Sequence, residues 1–141
     1  MNLKSMVLCL GLFAAAHPAK ADKLLIPMDL EQTNHLKAYG VAYWTLQRDL
    51  NVEWLLNYRG GAFLMDNVEA IARESRLREV AFLRISDAQV ARIYAEIEDA
   101  NMDPIRLEKA PKIAVYTPPN KQPWDDAVTL ALTYAEIPYD T

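Results

Sequence analysis

Hydrophobic and polar positions change period several times along the chain, and each change marks a predicted element. Leu24, Leu25 and Ile26 form an unbroken apolar run ending at Pro27, which predicts a buried strand. From Leu36 the apolar positions recur at Leu36, Tyr39, Gly40, Tyr43 and Trp44, the period of an amphipathic helix. Residues 52–58 (VEWLLNY) are again apolar and predict a second strand, closed at once by Arg59-Gly60-Gly61. The three elements make a β-α-β unit with a helix crossing over one face of a sheet. Asp66 followed by Glu69 has the spacing of a helix start, with Val68, Ile71 and Ala72 as its apolar face up to about Arg76. Residues 80–85 (VAFLRI) predict another strand, and Ser86-Asp87-Ala88-Gln89 a capping box that opens a helix carrying Val90, Ile93, Tyr94 and Ile97 on one side.

Residues 101–111 (NMDPIRLEKAP) are polar, hold two prolines and read as a connector. Beyond it, residues 112–117 (KIAVYT) predict a strand and residues 118–122 a loop, and Pro123 suits the first position of a helix whose face continues through Val128, Ala131 and Ala135. Residues 137–141 look like the start of a further strand. The alternation predicts an α/β fold with a mostly parallel sheet in Rossmann- or flavodoxin-like layers, incomplete at the C-terminus. Its expected organisation is a first α/β unit over 22–100, the connector, and the start of a second unit over 112–141. Folds of this class bind ligands beyond the carboxyl ends of their strands. Three loops would occupy that position: 29–35, 59–62 and 118–122.

The first residues change this picture by removing themselves from it. Lys4, the apolar run Met6 to Ala16 and the small-x-small pattern Ala19-Lys20-Ala21 read as a secretory signal peptide cleaved after Ala21. The run is shorter than the ~20 residues of a membrane span, so no membrane association is expected after cleavage, and the mature chain should be periplasmic or extracellular. Lys4 and Lys20 leave with the leader, which takes the 15 basic residues to 13 against 19 acidic, a mature net charge of about −6. So acidic a chain, with its cations scattered, has no electrostatic footprint for nucleic acid. Cys9 and His17 leave as well. The mature chain then has one histidine, His35, and no thiol for a disulfide, a zinc set or a nucleophile. No cofactor is implied.

The loop DLEQTNH offers Asp29 and Glu31 as acid/base or cation-binding groups and His35 as a titratable group at a helix start. Its bland alternative is structural: carboxylates complementing the positive helix end while Thr33 or Asn34 caps it. Arg59-Gly60-Gly61 after a strand suits an anion grip, with glycines allowing close approach and a two-pronged guanidinium donor, although two glycines equally make a tight turn. Lys121 precedes a helix amino terminus, where an anion is welcome. A small polar or anionic ligand held by Asp29, Glu31, Asn34, His35, Arg59, Gly60, Gly61 and Lys121 is the resulting expectation. A non-catalytic module, with a partner along an open sheet edge, is its rival.

The segments LLIPMDLEQTNHLKAYGVAYW, VEWLLNYRGGAFL and KIAVYTPPNKQPWDDAVTLALTYAEIPYD resemble a family of exported bacterial proteins, mostly longer, that are often labelled asparagine synthetase B. The label implies a processed amino-terminal cysteine and an S-G-G-x-D-S-type ATP loop, and this chain has neither. KIAVYTPP is similar instead to the opening strand and loop of a class I glutamine amidotransferase-like domain, whose nucleophile elbow would lie beyond Thr141. The resemblance therefore implies the amino-terminal part of such a protein, without glutamine hydrolysis by this chain. A truncated fragment without independent function is the remaining alternative.

Overall fold

Leu24, Leu25 and Ile26 are all buried, so the first strand is covered on both of its faces. The computed structural model describes residues 22–117 and 127–141; the expected signal peptide and Lys121 lie outside the described residues. In chain order the elements are β1 (Lys23–Ile26), α1 (His35–Leu46), β2 (Val52–Leu55), β3 (Ala62–Asp66), α2 (Glu69–Leu77), β4 (Leu83–Ile85), α3 (Asp87–Asp99), β5 (Pro104–Leu107) and α4 (Ala127–Ala135).

The five strands form one sheet in the order β4-β1-β3-β2-β5, and every pairing is antiparallel. This overturns the expected mostly parallel, Rossmann- or flavodoxin-like sheet. β1-α1-β2 is a crossover between strands of like direction, as expected, but β3 inserts between them, with Leu25 opposite Leu64 and Trp54 opposite Phe63. The first six elements thus have the split β-α-β connectivity of ferredoxin-like folds. The apolar runs that suggest parallel strands have a different cause. Antiparallel sheets commonly leave one face to solvent, which imposes alternation; here both faces are covered, so alternation disappears.

One face, Leu24, Ile26, Val52, Phe63 and Met65, packs under α1 and α2 through Ala38, Val41, Ala42, Ile71 and Ala72. The other, Leu25, Leu55, Ala62, Leu64 and Ile85, is covered by Val90, Ile93 and Ile97 of α3. Each of those α3 side chains contributes roughly 1.5–3 kcal/mol by leaving water. The capping box that opens α3 forms as expected: the Gln89 side chain accepts from the Ser86 amide at 2.9 Å. α1 also forms, yet its buried stripe is Ala38, Val41, Ala42 and Thr45, while Leu36 and Tyr39 stay more than 40% exposed. α2 begins after Val68, and Asp66 ends β3 and pairs with Lys23 instead of capping the helix. β5 lies within the stretch read as a connector, extending the sheet beside β2.

Residues 112–117 and 137–141 meet in a single parallel bridge, Ala114 with Asp140, where Val115 N–H donates to Asp140 at 2.8 Å and Asp140 N–H donates to Ile113 at 2.9 Å. α4 connects the two and packs on α1. The docking is tight because Gly40 has no side chain: a Cβ there would lie 1.9 Å from the Ala135 carbonyl oxygen. Arg78, 8% exposed, donates to that same oxygen at 3.1 Å and to Glu74 at 2.7 Å, and lies 3.3 Å from Glu136, which Lys37 also pairs. Gly40→Ala should therefore lower stability in urea unfolding by about 1–3 kcal/mol, the usual cost of overpacking. It should also raise hydrogen exchange in α4 more than in β1 or β3.

Candidate functional site

The β1–α1 junction and the β2–β3 turn end at the same edge of the sheet, so Asp29, Glu31 and Arg59 converge as their sequence positions imply. Their geometry is that of a closed latch. Arg59 Nε donates to Asp29 Oδ2 at 2.6 Å and its Nη2 to Asp29 Oδ1 at 3.3 Å. The same Nη2 reaches Glu31 Oε2 at 2.5 Å. Backbone bonds lock the approach, since Met28 N–H donates to the Arg59 carbonyl at 2.9 Å and Glu31 N–H to Asp29 Oδ1 at 3.0 Å. The hydrogen bond from Arg59 holds the Asp29 carboxyl below the ordinary carboxylate range, and the two carboxylates raise the guanidinium in turn.

The turn itself is conformationally costly. Asn57, Arg59, Gly60 and Gly61 all have positive φ, between 45° and 92°. Non-glycine residues pay roughly 1–2 kcal/mol there, so Arg59 occupies an unfavourable conformation that its carboxylate partners offset. Gly60 is required twice over: its φ is +77°, and a Cβ would stand 2.3 Å from the Met28 carbonyl oxygen. Gly61 accepts the Trp54 indole N–H at 3.1 Å. The two glycines thus bring the turn against the protein's own backbone.

The other expected site residues are committed as well. Asn34 caps α1, accepting the Lys37 amide at 3.2 Å and donating to the Tyr134 hydroxyl at 3.0 Å. His35 places Nε2 3.1 Å from the Met28 carbonyl. Gln32, given no role by sequence reasoning, is 3% exposed. Its amide donates to Pro27 and Ala81 carbonyls, both at 3.2 Å, and accepts the Ala81 amide at 3.2 Å. Only the polarity of the loop hints at it, because Ala81, which takes two of its hydrogen bonds, lies 49 residues away. With two carboxylates against one guanidinium the latch carries a net negative charge, which does not favour an anionic ligand.

Several cavities among the described residues lie apart from the latch. One, about 520 Å³, opens between the end of α3 and the β2–β5 edge and is lined by Glu53, Tyr94, Glu98 and Asp103 among others. Tyr94 donates its hydroxyl to Glu53, and burial, reinforced by that carboxylate, pushes the phenol well above its usual range. Among the described residues no three His, Cys, Asp or Glu side chains gather closely enough to hold a metal ion. Another, about 220 Å³, is aromatic and lies on the opposite face of the sheet.

Because the folded Asp29 carboxyl titrates below its unfolded value near 3.9, it stabilises the protein above that pH. The contribution is lost as pH falls through the lower, folded value. Asp29→Asn should therefore lower the urea midpoint at pH 7 and weaken the acid-limb pH dependence, measured from pH 7 to pH 2.5. No protein-family model, curated protein or solved structure matches the chain.

Proposed function

We propose that the mature chain is an exported, non-catalytic interaction module, which lends the bridged segments flanking α4 to the sheet of an α/β partner. The observation that carries this is the lone parallel bridge between Ala114 and Asp140. Parallel strands are stable when both faces and neighbouring strands are supplied. In that bridge Val115 and Ile113 face Asp140, so the Ala114 amide and carbonyl point to the outer edge, where they meet no strand among the described residues. Tyr116 beside them is 83% exposed, and Leu130 on α4 is 56% exposed.

The edges of the main sheet are protected by contrast. β4 is three residues long and carries Arg84; β5 begins with Pro104 and carries Arg106. Short strands, prolines and charges discourage edge pairing, which directs a strand-adding partner to the C-terminal unit. Closure of the Arg59 latch favours this reading over a ligand grip at the same residues. The resemblance of KIAVYTPP to the start of a class I amidotransferase-like domain agrees with a partner of α/β class. The mature sequence has no thiol, so the reading includes no glutamine hydrolysis by this chain.

A photo-crosslinking residue placed at Tyr116 in the exporting host should yield an adduct on an edge strand of an α/β protein, identified by mass spectrometry. Val115→Pro, which removes the N–H bonded to Asp140, should abolish it. Equal adducts from a control position at Ile105 on β5, or glutamine turnover above background by the mature chain, would overturn the reading.

A further inference from the structure

We propose that the aromatic cavity between α1 and the β2, β3 and β5 side of the sheet binds a quaternary ammonium group. This is independent of the partner reading above. Tyr39 and Tyr43, one helical turn apart on α1, form one wall of the cavity. Trp54 and Phe63, directly opposite each other across the β2–β3 pair, form the floor, and Leu107 and Ile137 close the sides. Tyr39 meets Phe63 edge-on with ring centres 5.4 Å apart, and Trp54 lies 6.3 Å from Phe63 at 30°. Four rings from three elements therefore line an open cavity of about 220 Å³, several times the ~30 Å³ share of one water.

The chemistry of the walls selects the ligand. The Trp54 indole N–H is already bonded to Gly61 and the Tyr43 hydroxyl to Pro111, so two polar atoms of the lining are spent on the backbone. A primary ammonium entering so apolar a space would leave its N–H donors unpaired, which is costly. A quaternary ammonium has none to satisfy, and aromatic faces attract its charge. The protein uses this attraction elsewhere: Arg48 lies 3.5 Å over Trp44, Arg76 5.9 Å over Phe82 and Lys37 5.1 Å over Tyr134. The four cavity rings have no such cation among the described residues. The acidic balance of the chain, −4 over the full sequence, favours a positive ligand further.

Choline and its uncharged isostere 3,3-dimethyl-1-butanol separate charge recognition from simple apolar filling. Titrated into the mature protein, choline should shift the Trp54 indole N–H resonance saturably and bind about tenfold more tightly than the isostere. Tyr39→Leu, at a half-exposed position whose loss leaves the core intact, should weaken choline several-fold, and Tyr39→Phe should retain it. Sedimentation with phosphatidylcholine vesicles, competed by choline, would assign the group to a lipid headgroup; choline binding without sedimentation would assign it to a free ligand. Equal affinity for the isostere, no shift at Trp54, or indifference to Tyr39→Leu in a variant with native circular dichroism would overturn the proposal.

Discussion

Arg59 stands where two segments some thirty residues apart must meet, and its guanidinium makes that meeting electrostatically favourable. Asp29 and Glu31 would otherwise face each other across a short loop while the β2–β3 turn presented a cation in a left-handed conformation. Joined, they close the end of the sheet at which β1 hands over to α1. The Met28 amide then reaches the Arg59 carbonyl, and Gly60 accepts the approach because it has no side chain to obstruct it. Gln32 ties the same loop to Ala81 just ahead of β4. One loop is thereby fastened to both the inner hairpin and the outer strand.

That fastening explains why a polar loop in a favourable position for chemistry is not an open site. Its hydrogen-bonding groups are consumed within the protein: carboxylates by guanidinium, the Asn34 amide by the helix start and Tyr134, the Gln32 amide by four backbone groups. No buried polar side-chain atom lacks a partner among the described residues. The unspent surfaces lie elsewhere, in the aromatic cavity above β2 and β3 and in the bridged segments beside α4, which Gly40 and Arg78 help hold against α1.

Local signals were legible in the sequence and long-range ones were not. The Ser86 to Gln89 capping box and the period of Val90, Ile93 and Ile97 specify α3 within one turn of chain, and its observed face matches them. β3 was hidden because Ala62 to Met65 follows Gly61 without punctuation, while Asp66 and Glu69 imitate a helix start. β5 was hidden because Pro104 and Arg106, which protect an edge strand, resemble a loop. Strand direction is not legible for a physical reason: an unbroken apolar run reports burial on both faces, and the sequence does not say that α3 is what covers the second one. The convergence of Asp29, Glu31 and Arg59 on one sheet edge was legible from the order of strands and loops. Their mutual neutralisation depends on distances that no spacing encodes.

The most direct test of this account is a double-mutant cycle in urea unfolding at pH 7 on Asp29→Asn and Arg59→Leu. A closed latch predicts that each single change destabilises the protein, and that the double variant loses clearly less than the sum of the two. Strictly additive losses, or a wild-type protein whose stability rises with inorganic phosphate in a manner abolished by Arg59→Leu, would contradict it and return Arg59 to the role of an open anion grip.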